Sequence, residues 1–113
     1  MVPDFQSIML PMLESSKEGG DFTDKQMHDA LEKYLELTDE EVNELLPGSD
    51  QTLFYHNLIE AQSHLLMAGL LERASGDYFK ITPLGKQVLH KRPNVIDTNY
   101  LRRFPGYVEA AKG

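Results

Sequence analysis

The chain has 113 residues, a formal net charge of −7 and 41% apolar side chains, enough for one domain, or one domain and a tail, with a core of its own. At this size roughly two thirds of the unfolded surface leaves water on folding. The lack of cysteine excludes a disulfide framework and a cysteine-based zinc site and is compatible with the cytoplasm; no apolar run is long enough to span a bilayer, and the N-terminus lacks the basic-then-apolar layout of a signal peptide.

In chain order, Asp4 to Ser15 is predicted as a first helix, with Phe5, Ile8, Met9, Met12 and Leu13 on its apolar side. Pro11 lies inside it, where the missing N–H is expected to kink or break the helix. The methionines read as core filler, not as ligands. Lys17 to Asp21, with the pair Gly19-Gly20, is a loop. Thr23 suits the N-cap of a second helix over Asp24 to Tyr34, whose Met27, Ala30, Leu31 and Tyr34 share a stripe. His28 has no partner at metal-ligand spacing and reads as a surface or boundary histidine. Thr38-Asp39-Glu40-Glu41 is a capping box that places a third helix from about Asp39 to Leu46. Its acidic first turn suits the positive end of the helix dipole, so these carboxylates read as helix-starting and not catalytic. Pro47-Gly48-Ser49-Asp50 ends that helix.

The stretch from Thr52 to Lys91 organises the rest. Phe54, Leu58, Ala61, Leu65 and Ala68 fall on one face of a long helix, Thr52 to Met67, and Gly69 follows where a left-handed cap favours glycine. Leu70 to Arg73 and Tyr78 to Ile81 are predicted strands joined by the turn Ala74-Ser75-Gly76-Asp77. Thr82-Pro83 opens another helix. Helix, hairpin, helix in this order predicts a mainly α fold with a small β-hairpin, a winged helix in which the hairpin is the wing and Thr52 to Met67 the recognition helix. The domain is expected over residues 1–93, with 94–113 as a C-terminal short helix or linker segment.

Two further faces remain on the central helix. His56, Asn57, Glu60, Ser63 and His64 are expected to project together away from the core. His56, Glu60 and His64 lie at i, i+4 and i+8, but with no fourth ligand they read as a solvated face rather than a zinc site, and no cofactor or metal is expected. Tyr55, Ile59 and Leu66 form a second apolar strip, read as contact within the same small bundle, with a homodimer seam as its other use. Residues 1–72 carry three basic side chains against fifteen acidic ones, a balance of −12, whereas residues 73–113 carry eight against three, a balance of +5. Either solvated acidic helix faces produce this division, or the domain is dipolar and its wing and C-terminal end meet an anion.

At Leu45-Leu46-Pro47-Gly48-Ser49, Ala68-Gly69-Leu70-Leu71, Ile81-Thr82 and Gly85 the chain resembles the N-terminal domain of Mrr-type restriction endonucleases, in order and in spacing. Met9-Leu10-Pro11-Met12-Leu13 is similar to that family's first helix, which accounts for the proline, and the resemblance covers nearly the whole chain. It implies a winged-helix DNA-binding domain that delivers a separate C-terminal PD-(D/E)XK nuclease domain to modified DNA. That nuclease pattern is absent from these residues, so this chain is expected not to be an enzyme, and Phe104-Pro105-Gly106-Tyr107, near its end, falls where the family's linker begins. The departures are specific. The family's Asn-Arg pair falls on His56 and Asn57, its Trp-Ala on Glu60 and Ala61, its lysine-rich approach on Leu66 and Met67, and its basic wing tip on Ser75-Gly76-Asp77.

Two functional readings follow. In the first, double-stranded DNA is the partner. Gln51, Thr52, Tyr55, His56 and Asn57 then face bases or backbone, and Arg73, Ser75, Tyr78 and Lys80 act from the wing. No Lys or Arg lies between Thr52 and Met67, so Arg73, Lys80 and the C-terminal cluster carry the phosphate contacts. In the second, the fold is a protein-interaction or homodimerisation module, with the acidic half meeting a basic partner and the Tyr55/Ile59/Leu66 strip as the seam. A small hydrolase has little support: no nucleophile elbow, phosphate-cradling glycine loop or convincing metal set is visible.

Overall fold

Phe54, Leu58, Ala61 and Leu65 recur at helical spacing, and a helix that carries them must bury that stripe. In the computed structural model, which describes residues 1–18 and 20–112, all four are fully buried. They lie on α4 (Leu53–Met67), and around it stand α1 (Phe5–Ser15), α2 (Asp24–Tyr34), α3 (Asp39–Asn43), the strands β1 (Leu71–Arg73) and β2 (Phe79–Ile81), then α5 (Pro83–His90), α6 (Thr98–Leu101) and α7 (Pro105–Lys112). α1, α2, α3, α7 and β1 all pack on α4. The result is mainly helical with one small antiparallel hairpin, the element order of a winged-helix-like domain.

Local chemistry starts most of the helices. Asp4, Thr23, Thr38, Thr52 and Thr82 each accept a hydrogen bond from the backbone N–H three residues on, and Thr23 and Thr38 form full capping boxes. Pro11 neither breaks nor ends α1, which runs unbroken from Phe5 to Ser15. Ile8, Met9, Met12 and Leu13, on both sides of the proline, are fully buried, and that packing outweighs one missing backbone bond. On α2, Met27 and Leu31 are buried, but Ala30 is exposed and Tyr34 is half exposed, so the apolar stripe is narrower than its spacing suggests.

Two further expectations need correction. α3 ends at Asn43 instead of Leu46, because the following backbone pairs elsewhere. Leu45 bridges Thr52, the Leu46 N–H donates to the Gln51 carbonyl at 2.8 Å, and the Leu53 N–H donates to the Glu44 carbonyl at 2.8 Å. Gly48 turns the chain between them with φ of 76°. Each strand begins one residue later than expected, since the Leu70 N–H is spent on the Leu65 carbonyl in the α4 cap and Tyr78 belongs to the turn. Phe22, ahead of the α2 cap, pairs with Phe79. Their N–H groups and carbonyls exchange bonds of 2.9 and 2.7 Å, and this lays a third short strand segment beside β2.

The junction between helix and hairpin is tied by Thr82, itself almost fully buried. Its hydroxyl donates to the Gly69 carbonyl at 2.6 Å and accepts from the Gly85 N–H at 3.0 Å, while its own N–H donates to the Leu70 carbonyl at 3.1 Å. Gly69 adopts φ of 77°, the left-handed cap expected after α4. Beyond α5, residues 94–112 form two helices and supply Ile96, Leu101 and Tyr107 to the core. The Thr98 N–H and hydroxyl both donate to Gln6 Oε1, at 3.0 and 3.1 Å, and fasten α6 to α1.

Gly85 sits where a side chain has no room. A Cβ there would lie 2.3 Å from the Leu70 carbonyl oxygen and 2.7 Å from Ile81 Cγ1. The Leu70 oxygen is backbone and cannot rotate away, so α5 must retreat from the hairpin. Gly85→Ala is therefore expected to lower stability by about 1–3 kcal/mol in denaturant unfolding. An unchanged midpoint would show that α5 is not clamped to the hairpin.

Candidate nucleic-acid interface

The expected interface begins at the first turn of α4. Thr52 is its N-cap, and its hydroxyl is committed to the Tyr55 N–H at 3.2 Å. Gln51 and His56 are exposed, and Tyr55 is half-buried. Asn57 is turned inward: its side-chain amide donates to the Pro3 carbonyl at 3.0 Å. That bond lays the N-terminal residues across this end of α4, with Val2 buried beneath.

Residues 1–4 are also fastened at their start. The Met1 ammonium lies 2.7 Å from Glu41 Oε2, and Glu41 Oε1 accepts from the Thr38 N–H at 2.8 Å. The ammonium first, then the Thr38 N–H, lowers the Glu41 pKa to about 2, and the Glu41 carboxylate raises that of the amine. The acidic start of α3 thus stands beside the segment that crosses the first turn of α4.

The polar face expected along α4 is divided in the structure. His56 and Ser63 are exposed, but His64 is packed between helices. Its ring stacks on Phe5 at 4.8 Å, its Nδ1 lies 2.9 Å from the Tyr107 hydroxyl, and Nε2 is 4.0 Å from Glu60. The row His56, Glu60, His64 is therefore not one solvated surface, because α1 and α7 close over its last member. Ile59 and Leu66 of the second apolar strip pack against the core. His28 is the boundary histidine expected, but not one without partners at ligand spacing. It stands at the boundary with its ring 5.0 Å from that of Phe54, yet its ligand atoms and those of Asp29 and Glu32 lie within 4.8 Å of one another. The i, i+4 pair His28 and Glu32 was the available sequence signal.

The wing places its residues on different sides. In the register Leu71↔Ile81, Glu72↔Lys80, Arg73↔Phe79, alternate positions face opposite ways. Leu71, Ile81 and Phe79 face the core, and Arg73 shares their side with its guanidinium 5.1 Å from the centre of the Phe79 ring. Lys80 faces the other way and pairs across the strands with Glu72 at 3.4 Å. Arg73 and Lys80 therefore cannot hold one phosphate together. Ser75 and Tyr78 are exposed at the tip, where the Ala74 N–H donates to the Tyr78 carbonyl at 2.8 Å and Gly76 takes φ of 63°. Beside Arg73, a cleft of about 330 Å³ is also lined by Asp24, Lys25 and Asp77.

A central helix followed by a short hairpin and a further helix defines a winged-helix-like domain. The sequence model of the Mrr N-terminal domain matches residues 5–91, which run from the start of α1 to just past the end of α5. The chain belongs to the Mrr N-terminal domain family. No curated protein and no solved structure matches it. Among the described residues, no helix is long and apolar enough to cross a membrane.

The Met1–Glu41 contact has opposite pH signatures at its two ends. Glu41's native pKa lies below its ordinary 4.5, so its contribution to stability is present above that value and is lost as pH falls toward about 2. The amine's native pKa lies above 8.0, so its contribution is present below 8.0 and is lost as pH rises through the native value. NMR titration of the Glu41 carboxyl is expected to show a midpoint near 2, and Nα-acetylation is expected to move it upward. A midpoint indifferent to acetylation would assign the whole shift to the Thr38 cap.

Proposed function

We propose that this chain is the DNA-recognition module of an Mrr-type restriction system, and that its own chemistry is binding, with cleavage left to a nuclease domain outside these residues. Membership of the Mrr N-terminal domain family across α1 to α5 carries this reading. The exposed side chains support it. Gln51 and His56 stand free at the start of α4, and a glutamine amide can pair bidentately with adenine in the major groove. Ser75 and Tyr78 at the wing tip suit sugar and phosphate contacts. Thr52 and Asn57 act on this surface mainly by positioning it, since their polar groups are engaged by Tyr55 and Pro3.

Phosphate affinity must come from cations outside α4, which has none between Thr52 and Met67. Arg73 is the wing's open contact: it has no carboxylate within ion-pair distance among the described residues, whereas Lys80 is held by Glu72. The balance of +5 over residues 73–113 supplies the remaining attraction, against the balance of −12 over residues 1–72, the segment that includes α4.

Fluorescence anisotropy of a labelled duplex tests the reading. Binding at low salt is expected, with three phosphate contacts losing about 40-fold in affinity between about 50 and 200 mM salt through counterion release. Arg73→Ala is expected to reduce the salt slope by about one unit, and Lys80→Ala by clearly less. No binding at low salt by a folded protein would overturn the reading. The acidic α3 beside the first turn of α4 would then favour a basic protein partner.

A further inference from the structure

On another part of the surface, the chain end of α1 meets α5 and the turn that follows it. Two adjoining clefts lie there, of about 420 and 450 Å³, and both are lined by Lys17, Leu89 and Arg92. Lys86 lines the first, and Leu10 and Pro93 line the second, so a cationic end continues into an apolar wall. Clefts of this size suit a small organic ligand.

Three cations gather at the first cleft, and like Lys33, Lys91 and Arg102 they stand outside the ion pairs and ring contacts found among the described residues. Lys25, Lys80 and Lys112 stand within 4.0 Å of a carboxylate, and Arg73 and Arg103 lie over aromatic rings. Lys17, Lys86 and Arg92 have no such carboxylate among the described residues, although Glu18 and Glu14 also line the two clefts. Glu14 accepts from the Tyr34 hydroxyl at 3.2 Å, which leaves Glu18 as the acceptor at the cationic end.

Arg92 adds a second, independent observation. It follows the α5 cap residue Lys91 with φ of 50°, a left-handed conformation in which glycine is the low-cost residue. Its N–H donates to the Leu89 carbonyl at 3.0 Å. An arginine stands where glycine would fit with less strain, and this residue lines both clefts.

We propose that this composite cleft binds the phosphomonoester of a nucleotide. Arg92, Lys86 and Lys17 take the phosphate, Glu18 accepts from a sugar hydroxyl or a base amino group, and Leu10, Leu89 and Pro93 pack against the base. The same chemistry is offered by a free nucleoside monophosphate and by the 5′-phosphate end of a DNA strand. The site is separate from the α4 and wing surface and does not depend on the DNA reading of that surface.

The test is titration of the full chain, followed by calorimetry and by backbone NMR, with deoxyadenosine monophosphate, deoxyadenosine, inorganic phosphate, and short duplexes bearing a 5′-phosphate or a 5′-hydroxyl. The expected result is shifts at Lys17, Leu89 and Arg92, with the monophosphate or the phosphorylated end binding at least tenfold tighter than its unphosphorylated counterpart. Arg92→Gly relieves the left-handed strain and is expected to stay folded, yet to weaken binding about tenfold or more; Lys86→Ala is expected to act in the same direction. Binding unchanged in both variants would overturn the assignment, as would a folded protein that takes none of the phosphorylated ligands at millimolar concentration. Inorganic phosphate binding as tightly as the nucleotide would overturn the nucleoside part and leave a plain anion site.

Discussion

The burial of one face of α4 is the constraint on which the other elements depend. Phe54, Leu58, Ala61 and Leu65 are fully removed from water, and each large side chain among them contributes about 1.5–3 kcal/mol through burial. Ala61 matters for the opposite reason, because a small side chain in that row lets a neighbouring helix approach. α1 answers with Ile8, Met9, Met12 and Leu13, and α7 adds Tyr107 from the far end of the chain. A helix enclosed on so many sides has little surface left for recognition. Its exposed positions are His56 and Ser63, with Gln51 just before its cap.

That enclosure explains why the hairpin must be held so firmly. Thr82 joins the end of α4, the start of β1 and the first turn of α5 through three hydrogen bonds, and Gly85 brings α5 against the Leu70 carbonyl. Phe22 closes the other side by pairing with Phe79. A wing anchored at its base by both devices keeps a fixed direction, so the opposed orientation of Arg73 and Lys80 is a property of the fold and not of side-chain choice.

What could be read beforehand was local. Threonine caps at Thr23, Thr38, Thr52 and Thr82, the glycine after α4, and the five-residue core stripe depend on neighbours within one turn, and each appears in the structure. What escaped depends on partners distant in sequence. α3 stops early because residues 44–46 pair with 51–53, Asn57 turns inward because Pro3 offers it a carbonyl, and His64 is covered because Phe5 and Tyr107 arrive from both ends of the chain. In the expected interface the same rule separates the residues. Gln51, His56, Ser75 and Tyr78 are exposed, whereas Thr52, Asn57 and Lys80 are drawn into contacts that periodicity alone does not reveal.

The charge division then acquires a geometric meaning. Fixed charges act over a Debye length of about 8 Å at physiological salt, so a net charge of −7 does not by itself decide whether a polyanion is attracted. Local placement decides. The acidic turn of α3 stands by the start of α4, where Glu41 is tied to the Met1 ammonium and Thr38, while Asp39 and Glu40 remain exposed. Lys17, from the acidic half, is the exception that joins Lys86 and Arg92 at the α5 cleft. Phosphates are repelled beside α3 and attracted at the wing and α5, so any anion contact at the first turn of α4 depends on attraction from those sides. In such a field an anionic partner is admitted from one side only, and orientation is set before any base edge or apolar wall is reached.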